Sequence, residues 1–253
     1  MKTRSGTSLS LRLSILLVIA GLCGTATVFA GAIQQCADGN AATPSACNTT
    51  GKLGYTSGNI GDRQSHYVEG DSLPVRIVLD KLVVGGTGYT VTIGYDFTTK
   101  GKFAIDYLTS YDRTESINNN PCVGVAGCSQ GTFTTAPIPI DLRVSAGADQ
   151  IPGNGDDVTQ IPGVFTAFGA TITNVSSYTY VGNLDADSFT MITVTFTANS
   201  SNVVIAYGAH VATQTDWGTG AASSVVGSRY QNSVVNFSGG SVGKSKVTML
   251  LSQ

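Results

Sequence analysis

From Ile192 to Thr197, apolar and hydroxyl side chains alternate without a break. Ile192, Val194 and Phe196 take one parity, and Thr193, Thr195 and Thr197 take the other. Successive side chains of an extended strand point to opposite faces, so this rhythm describes a strand with one packed and one wet side. The rhythm recurs. Leu73, Val75, Ile77 and Leu79 share a parity, as do Tyr89, Val91, Ile93, Tyr95 and Phe97, which are set against Thr90, Thr92 and Asp96. Phe103, Ile105 and Tyr107 follow the turn signal Thr99-Lys100-Gly101-Lys102. Val203, Ile205, Tyr207, Ala209 and Val211 follow Asn199-Ser200-Ser201-Asn202. Residues 164–172, 177–181, 234–237 and 246–251 are further strand candidates. About nine or ten strands joined by Gly, Asn, Ser and Asp predict an all-β fold, an antiparallel two-sheet sandwich of immunoglobulin-like or jelly-roll-like form. A closed barrel is the second choice. An outer-membrane barrel would need longer, evenly spaced strands with aromatic girdles.

The first thirty residues follow another rule. Lys2, Arg4 and Arg12 precede an apolar run from Leu13 to Leu22, and Val28-Phe29-Ala30 offers small residues before Gly31. The run is shorter than the about 20 residues that span a bilayer, and the arrangement reads as an export signal cleaved after Ala30. About 220 residues remain, enough for one sandwich domain. Loss of three basic residues takes the formal net charge of −2 further negative. An acidic chain without basic clusters argues against nucleic acid as a partner. An oxidising compartment favours pairing the four cysteines outside the signal. Their sequence-local spacing favours Cys36 with Cys47 and Cys122 with Cys128, out of three connectivities. Zinc-ligand spacing is absent from the four cysteines.

Two stretches lack the alternation. Residues 31–64 are polar and glycine-rich, and read as an irregular segment laid against the sandwich domain of 65–253. Residues 112–163 form a long insertion holding the second cysteine couple, the kind of excursion in which binding surfaces are sought.

Within that insertion, Asp149-Gln-Ile-Pro-Gly-Asn-Gly-Asp-Asp157 gathers carboxylates around glycine turns. Ca²⁺ takes six to eight oxygen ligands, which Asp149, Asn154, Asp156 and Asp157 with freed carbonyls can supply. The competing expectation is an Asx-rich turn whose side chains bond their own backbone. His210, Asp216 and Trp217 form a second constellation, able to stack and orient a sugar or to cap one end of the sandwich. Catalytic signatures such as Gly-x-Ser-x-Gly or His-Glu-x-x-His are missing, and His66 and His210 are the two histidines. Asp106 and Asp112 are carboxylates on a regular strand and its following loop, with no sign of a cleft.

The phrases Tyr67-Val-Glu-Gly-Asp-Ser72, Ala104-Ile-Asp-Tyr-Leu-Thr-Ser-Tyr-Asp-Arg113, Ile161-Pro-Gly-Val-Phe165 and Tyr207-Gly-Ala-His-Val-Ala212, leading to Asp216-Trp-Gly218, carry a resemblance. Together they resemble a family of uncharacterised secreted bacterial proteins, over residues 65–237. This chain departs from that pattern at Ala209 and at Gln214-Thr215, where related sequences carry glycine and a basic residue. The resemblance implies an exported surface or matrix protein and no particular activity. The expectation is thus a non-enzymatic structural or adhesive module, extracellular, periplasmic or at the cell surface, whose partner is a surface or matrix component such as a glycan or its own copies. Its rivals are a calcium-assisted carbohydrate-binding module and a self-assembling fibre subunit, with the 31–64 arm as the donated strand.

Overall fold

A computed structural model describes residues 31–115, 118–225 and 229–251; residues 1–30, read above as an export signal, lie outside them. Strands dominate: β1 (Gly31–Ala37), β2 (Gly39–Asn40), β3 (Thr43–Pro44), β4 (Gly54–Thr56), β5 (Ser72–Leu79), β6 (Tyr89–Thr99), β7 (Lys102–Phe103), β8 (Ile105–Thr109) and β9 (Phe133–Pro137). Then follow α1 (Leu142–Ser145), β10 (Val164–Phe168), β11 (Ala170–Val175), β12 (Thr179–Gly182), β13 (Ser188–Ala198), β14 (Val203–Val211), α2 (Gln214–Trp217), β15 (Tyr230–Phe237) and β16 (Lys246–Met249). Two seven-stranded antiparallel sheets face each other, as the alternation requires. The first runs β4-β1-β5-β14-β10-β9, with β8 also on β14. The second runs β11-β13-β6-β15-β16, with β12 on β13 and β7 on β6. Among the described residues, no helix is long and apolar enough to cross a membrane.

The sheets meet through the expected parities. Leu73, Val75, Ile77, Ile205 and Tyr207 from one sheet pack against Val91, Ile93, Tyr95, Ile192, Val194 and Phe196 from the other. Backbone bonds from Ile33 to Lys244 (2.8 Å) and from Ile60 to Thr248 (3.0 Å) lace the layers where β1 runs beside the last strand. The hairpin at 99–102 forms as read, with Lys100 and Gly101 both at positive φ (53° and 70°). Two such residues give the primed turn that suits the strand twist.

Residues 164–172 are not one strand. The chain pivots at Gly169 (φ 72°), and β10 joins one sheet while β11 joins the other. A Cβ there would meet the Asn202 carbonyl oxygen at 2.7 Å. The Gly169 carbonyl in turn accepts from the amides of Asn199 (2.8 Å) and Ser200 (3.0 Å), where the chain crosses from β13 to β14. The two crossings therefore brace each other. This split, the two-residue strands β2, β3 and β7, and the unforeseen β1, β4 and β9 raise the strand count from the expected nine or ten to sixteen among the described residues.

The N-terminal stretch also departs from expectation. Gly31–Ala37 is an inner strand, paired with β4 and β5. Its pattern hides the fact because Gln35 is fully buried, with its Nε2 donating to the carbonyls of Gly58 (2.9 Å) and Thr248 (2.7 Å). A strand already paired on both sides is not a free arm to donate to another copy.

The two sheets treat their outer faces differently. Along β13, buried and half-buried residues alternate without exception, whereas β14 is buried at every position. Residues 111–115 and 118–131, where the long insertion begins, cause this. They fold as a flap over the outer side of the first sheet, where Cys122, Phe168, Val204 and Ala206 form a second apolar cluster with Val78, Tyr111 and Val125. Arg76, buried on that face, pins the flap. Its Nη1 donates to the carbonyls of Pro121 (2.6 Å) and Val123 (2.7 Å), its Nε to Gln34 Oε1 (2.7 Å), and its guanidinium lies 4.3 Å from the centre of the Tyr55 ring. Both expected disulfides form, Cys36–Cys47 and Cys122–Cys128. They are neighbours: Asn120 donates to the Cys47 carbonyl (2.8 Å), and Val123 packs on Cys36 and Cys47.

Candidate functional site

Of the constellation His210, Asp216 and Trp217, the fold unites two members with a partner the sequence hid. His210 Nδ1 lies 2.6 Å from Asp106 Oδ1, and Trp217 Nε1 donates to Asp106 Oδ2 at 2.9 Å. Asp106 is fully buried on β8, not on a wet strand face as its sequence position implies, and also accepts the Tyr107 amide (3.0 Å). The His210 ring stacks on Tyr107 (centroids 4.1 Å), while Trp217 stacks on Phe103 (3.8 Å) and meets Phe97 edge-on (5.8 Å). Trp217 is only 6% exposed and His210 4%. A buried indole offers no platform for a sugar ring, so the sugar-stacking reading loses its footing.

Asp216 points elsewhere. It accepts from the Thr213 hydroxyl (2.8 Å), and Thr213 Oγ1 in turn accepts the Asp216 amide (3.1 Å), capping the short helix α2. The cap explains how Trp217 is aimed inward from the turn that follows β14.

An aspartate oriented on an imidazole is also the base half of a nucleophilic triad. Ser72 lies opposite His210 in the β5–β14 register, but its buried Oγ makes no hydrogen bond. A working nucleophile is hydrogen-bonded to its base and open to substrate. The second Asp106 oxygen is occupied by an indole, and every member is enclosed. The arrangement is a cross-brace joining β8, β14 and α2.

The 149–157 loop is organised by its own side chains. Asp149 Oδ1 accepts the Ile151 amide (2.8 Å) and its Oδ2 accepts Asn154 Nδ2 (2.8 Å). Asp156 Oδ2 accepts the Asp149 amide (3.1 Å), Asp157 Oδ2 the Gly153 amide (2.7 Å), and Asn154 Oδ1 the Asp156 amide (3.3 Å). This is the Asx-turn pattern. A cation would compete with those amides for each carboxylate.

A third cluster escaped the sequence altogether. Asp38, His66 and Glu115 come from the end of β1, the 57–71 loop and the start of the flap, and offer three ligand atoms within 4.8 Å of one another. Asp38 is fully buried, and burial pushes its carboxyl up to about 7 although His66 beside it acts downward. Burial alone would lower His66, but its bond to the Gly39 carbonyl and the Asp38, Glu115 and Asp71 carboxylates outweigh that and raise it. Separations of 28 and 49 positions leave no motif to read. The one local signal is that Asp38 closely follows a cysteine of a disulfide.

Comparison with family models, with curated proteins and with solved structures gave no match to this chain.

Proposed function

We propose that this chain is an exported structural or adhesive module of a bacterial cell surface or extracellular matrix, working without catalysis and holding a hydroxyl-rich polymer such as a surface glycan. The observation that carries the reading is the outer face of the second sheet. Thr92 and Thr193 stand opposite each other on β6 and β13 with hydroxyls 2.9 Å apart, Thr90 stands opposite Thr195, and Thr171 opposite Thr197. Their side chains are half-buried or exposed and none of them is charged. This row of hydroxyls, beside the apolar patch that Phe189 and Val235 form over Gly94 and the carboxylate of Asp96, can exchange hydrogen bonds with a hydrated polymer, directly or through bridging water.

Other features support durability over turnover. His210, Asp106 and Trp217 are spent on one another inside the fold, and two disulfides staple adjoining loops. Disulfides of this kind belong to oxidising compartments, in keeping with export.

The test has two parts. Fractionation of the producing cell should place the processed chain outside the cytoplasm, and recovery from the cytosol would overturn export. Purified protein should be retained by intact cells or insoluble matrix. Thr92→Lys with Thr195→Glu should abolish retention while leaving the melting temperature within a few degrees. Retention undiminished by these changes would overturn the assigned face.

A further inference from the structure

We infer that Asp38, His66 and Glu115, with the carbonyl of Gly39, form a binding site for one divalent transition-metal ion of the zinc type. The argument starts from His66 Nδ1. It lies 3.0 Å from the Gly39 carbonyl oxygen and 3.1 Å from Asp38 Oδ2. Both neighbours are acceptors, and a ring nitrogen carries one proton at most. The Gly39 carbonyl holds the hydrogen bond to this nitrogen, and Asp38 Oδ2 is left buried without one. An orphaned, fully buried carboxylate oxygen aimed at a nitrogen is costly unless something positive occupies the space between them.

A metal ion would engage all the acceptors at this point at once. Two donors 3.1 Å apart subtend roughly a right angle at an ion about 2.0–2.2 Å from each, which is the bond length of imidazole and carboxylate ligands. Glu115 supplies a third ligand atom inside the 4.8 Å cluster. One nitrogen with carboxylate and carbonyl oxygens suits zinc and its first-row neighbours. Calcium, by contrast, asks for six to eight oxygens, which this corner does not gather.

The framework is already fixed. Asp38 Oδ1 accepts the His66 amide (3.1 Å), and the Asp38 carbonyl accepts the Ser45 amide (2.6 Å). Gly39 donates to the Gln64 carbonyl (3.0 Å), and Tyr67 donates its hydroxyl to the Cys36 carbonyl (3.2 Å). The Cys36–Cys47 disulfide closes the loop that begins at β1. On the open side, His66 and Glu115 are half-buried, so an ion can enter from solvent. Further negative charge from Asp71 acts on both His66 and Glu115. A bound ion would tie β1, the 57–71 loop and the flap together at one point.

The probe is Co²⁺ with Zn²⁺ as competitor, added to the processed, disulfide-bonded protein after chelator treatment. One equivalent of Co²⁺ should bind saturably with a perturbed visible spectrum, and Zn²⁺ should displace it. His66→Gln and Glu115→Gln should each weaken binding by roughly tenfold or more. The protein holds two histidines, which supplies a readout independent of any variant. In the wild-type NMR spectrum, Zn²⁺ should move the ring signals of His66 and leave those of the enclosed His210 in place. Absence of saturable binding, binding unaffected by His66→Gln, or a response of His210 in place of His66 would each overturn the assignment.

Discussion

Trp217 donates its indole N–H to a carboxylate, Asp106, whose other oxygen lies 2.6 Å from the imidazole of His210. One buried aspartate thus satisfies donors from two different elements. Asp106→Leu should leave both without a partner and cost about 2–5 kcal/mol in urea unfolding, since each orphaned buried donor costs about 1–3 kcal/mol. Trp217→Phe keeps the stacking on Phe103 and loses one donor, so about 1–2 kcal/mol is expected. Trp217 is the single tryptophan, so its emission reports directly on the loosening of this corner in Asp106→Leu.

Arg76 is the pin of the flap. Arg76→Met strips donors from Pro121, Val123 and Gln34 and should cost about 2–4 kcal/mol. Burial lowers the Arg76 pKa to about 10, so the guanidinium is still charged at neutral pH. Arg76→Lys should rescue little, because an ammonium cannot reproduce the planar fork. Hydrogen exchange should accelerate across residues 119–128 in both variants, with amides of β6 and β13 unaffected.

Asp96 sets a pH dependence. Burial raises its carboxyl from 3.8 to about 6, against the opposing effect of the Gln231 amide that donates to it. The folded chain therefore holds this proton more tightly than the unfolded one does. Its stabilising contribution is complete below about pH 4 and is lost as pH rises through 6. Asp96→Asn should leave stability nearly unchanged at pH 4 and raise it by about 1–3 kcal/mol at pH 8, read from paired unfolding curves.

The disulfides should prove interdependent. By loop length alone, removing Cys122–Cys128 with alanine costs about 2 kcal/mol and removing Cys36–Cys47 about 3 kcal/mol. Asn120 and Val123 couple one loop to the other, so a double-mutant cycle should show an interaction of about 0.5 kcal/mol or more. Strict additivity would mean that the two loops fold independently.

The regular part of the fold was legible because one wet face leaves a mark. Thr193, Thr195 and Thr197 announce β13, and Lys100-Gly101 announces its neighbour's hairpin. β1 left no such mark, since Gln35 is polar and yet buried between two carbonyls. Gly169 was invisible as a crease because apolar residues continue on both sides of it. The candidate sites fared worse. His210 and Trp217 were visible, but Asp106, more than a hundred positions away, became their partner only through the β8–β14 pairing. Asp38, His66 and Glu115 meet through three separate loops, and no spacing rule describes that meeting.

The flap gives the slab a top and a bottom. One broad side is armoured by cystine-bonded loops around a sunken guanidinium, while the other lies bare and hydroxylated. If the hydroxylated side holds a polymer, as proposed, a body with such unlike sides would settle on it in a single sense. A layer of such molecules would turn its reinforced side outward and renew, molecule by molecule, the same exterior.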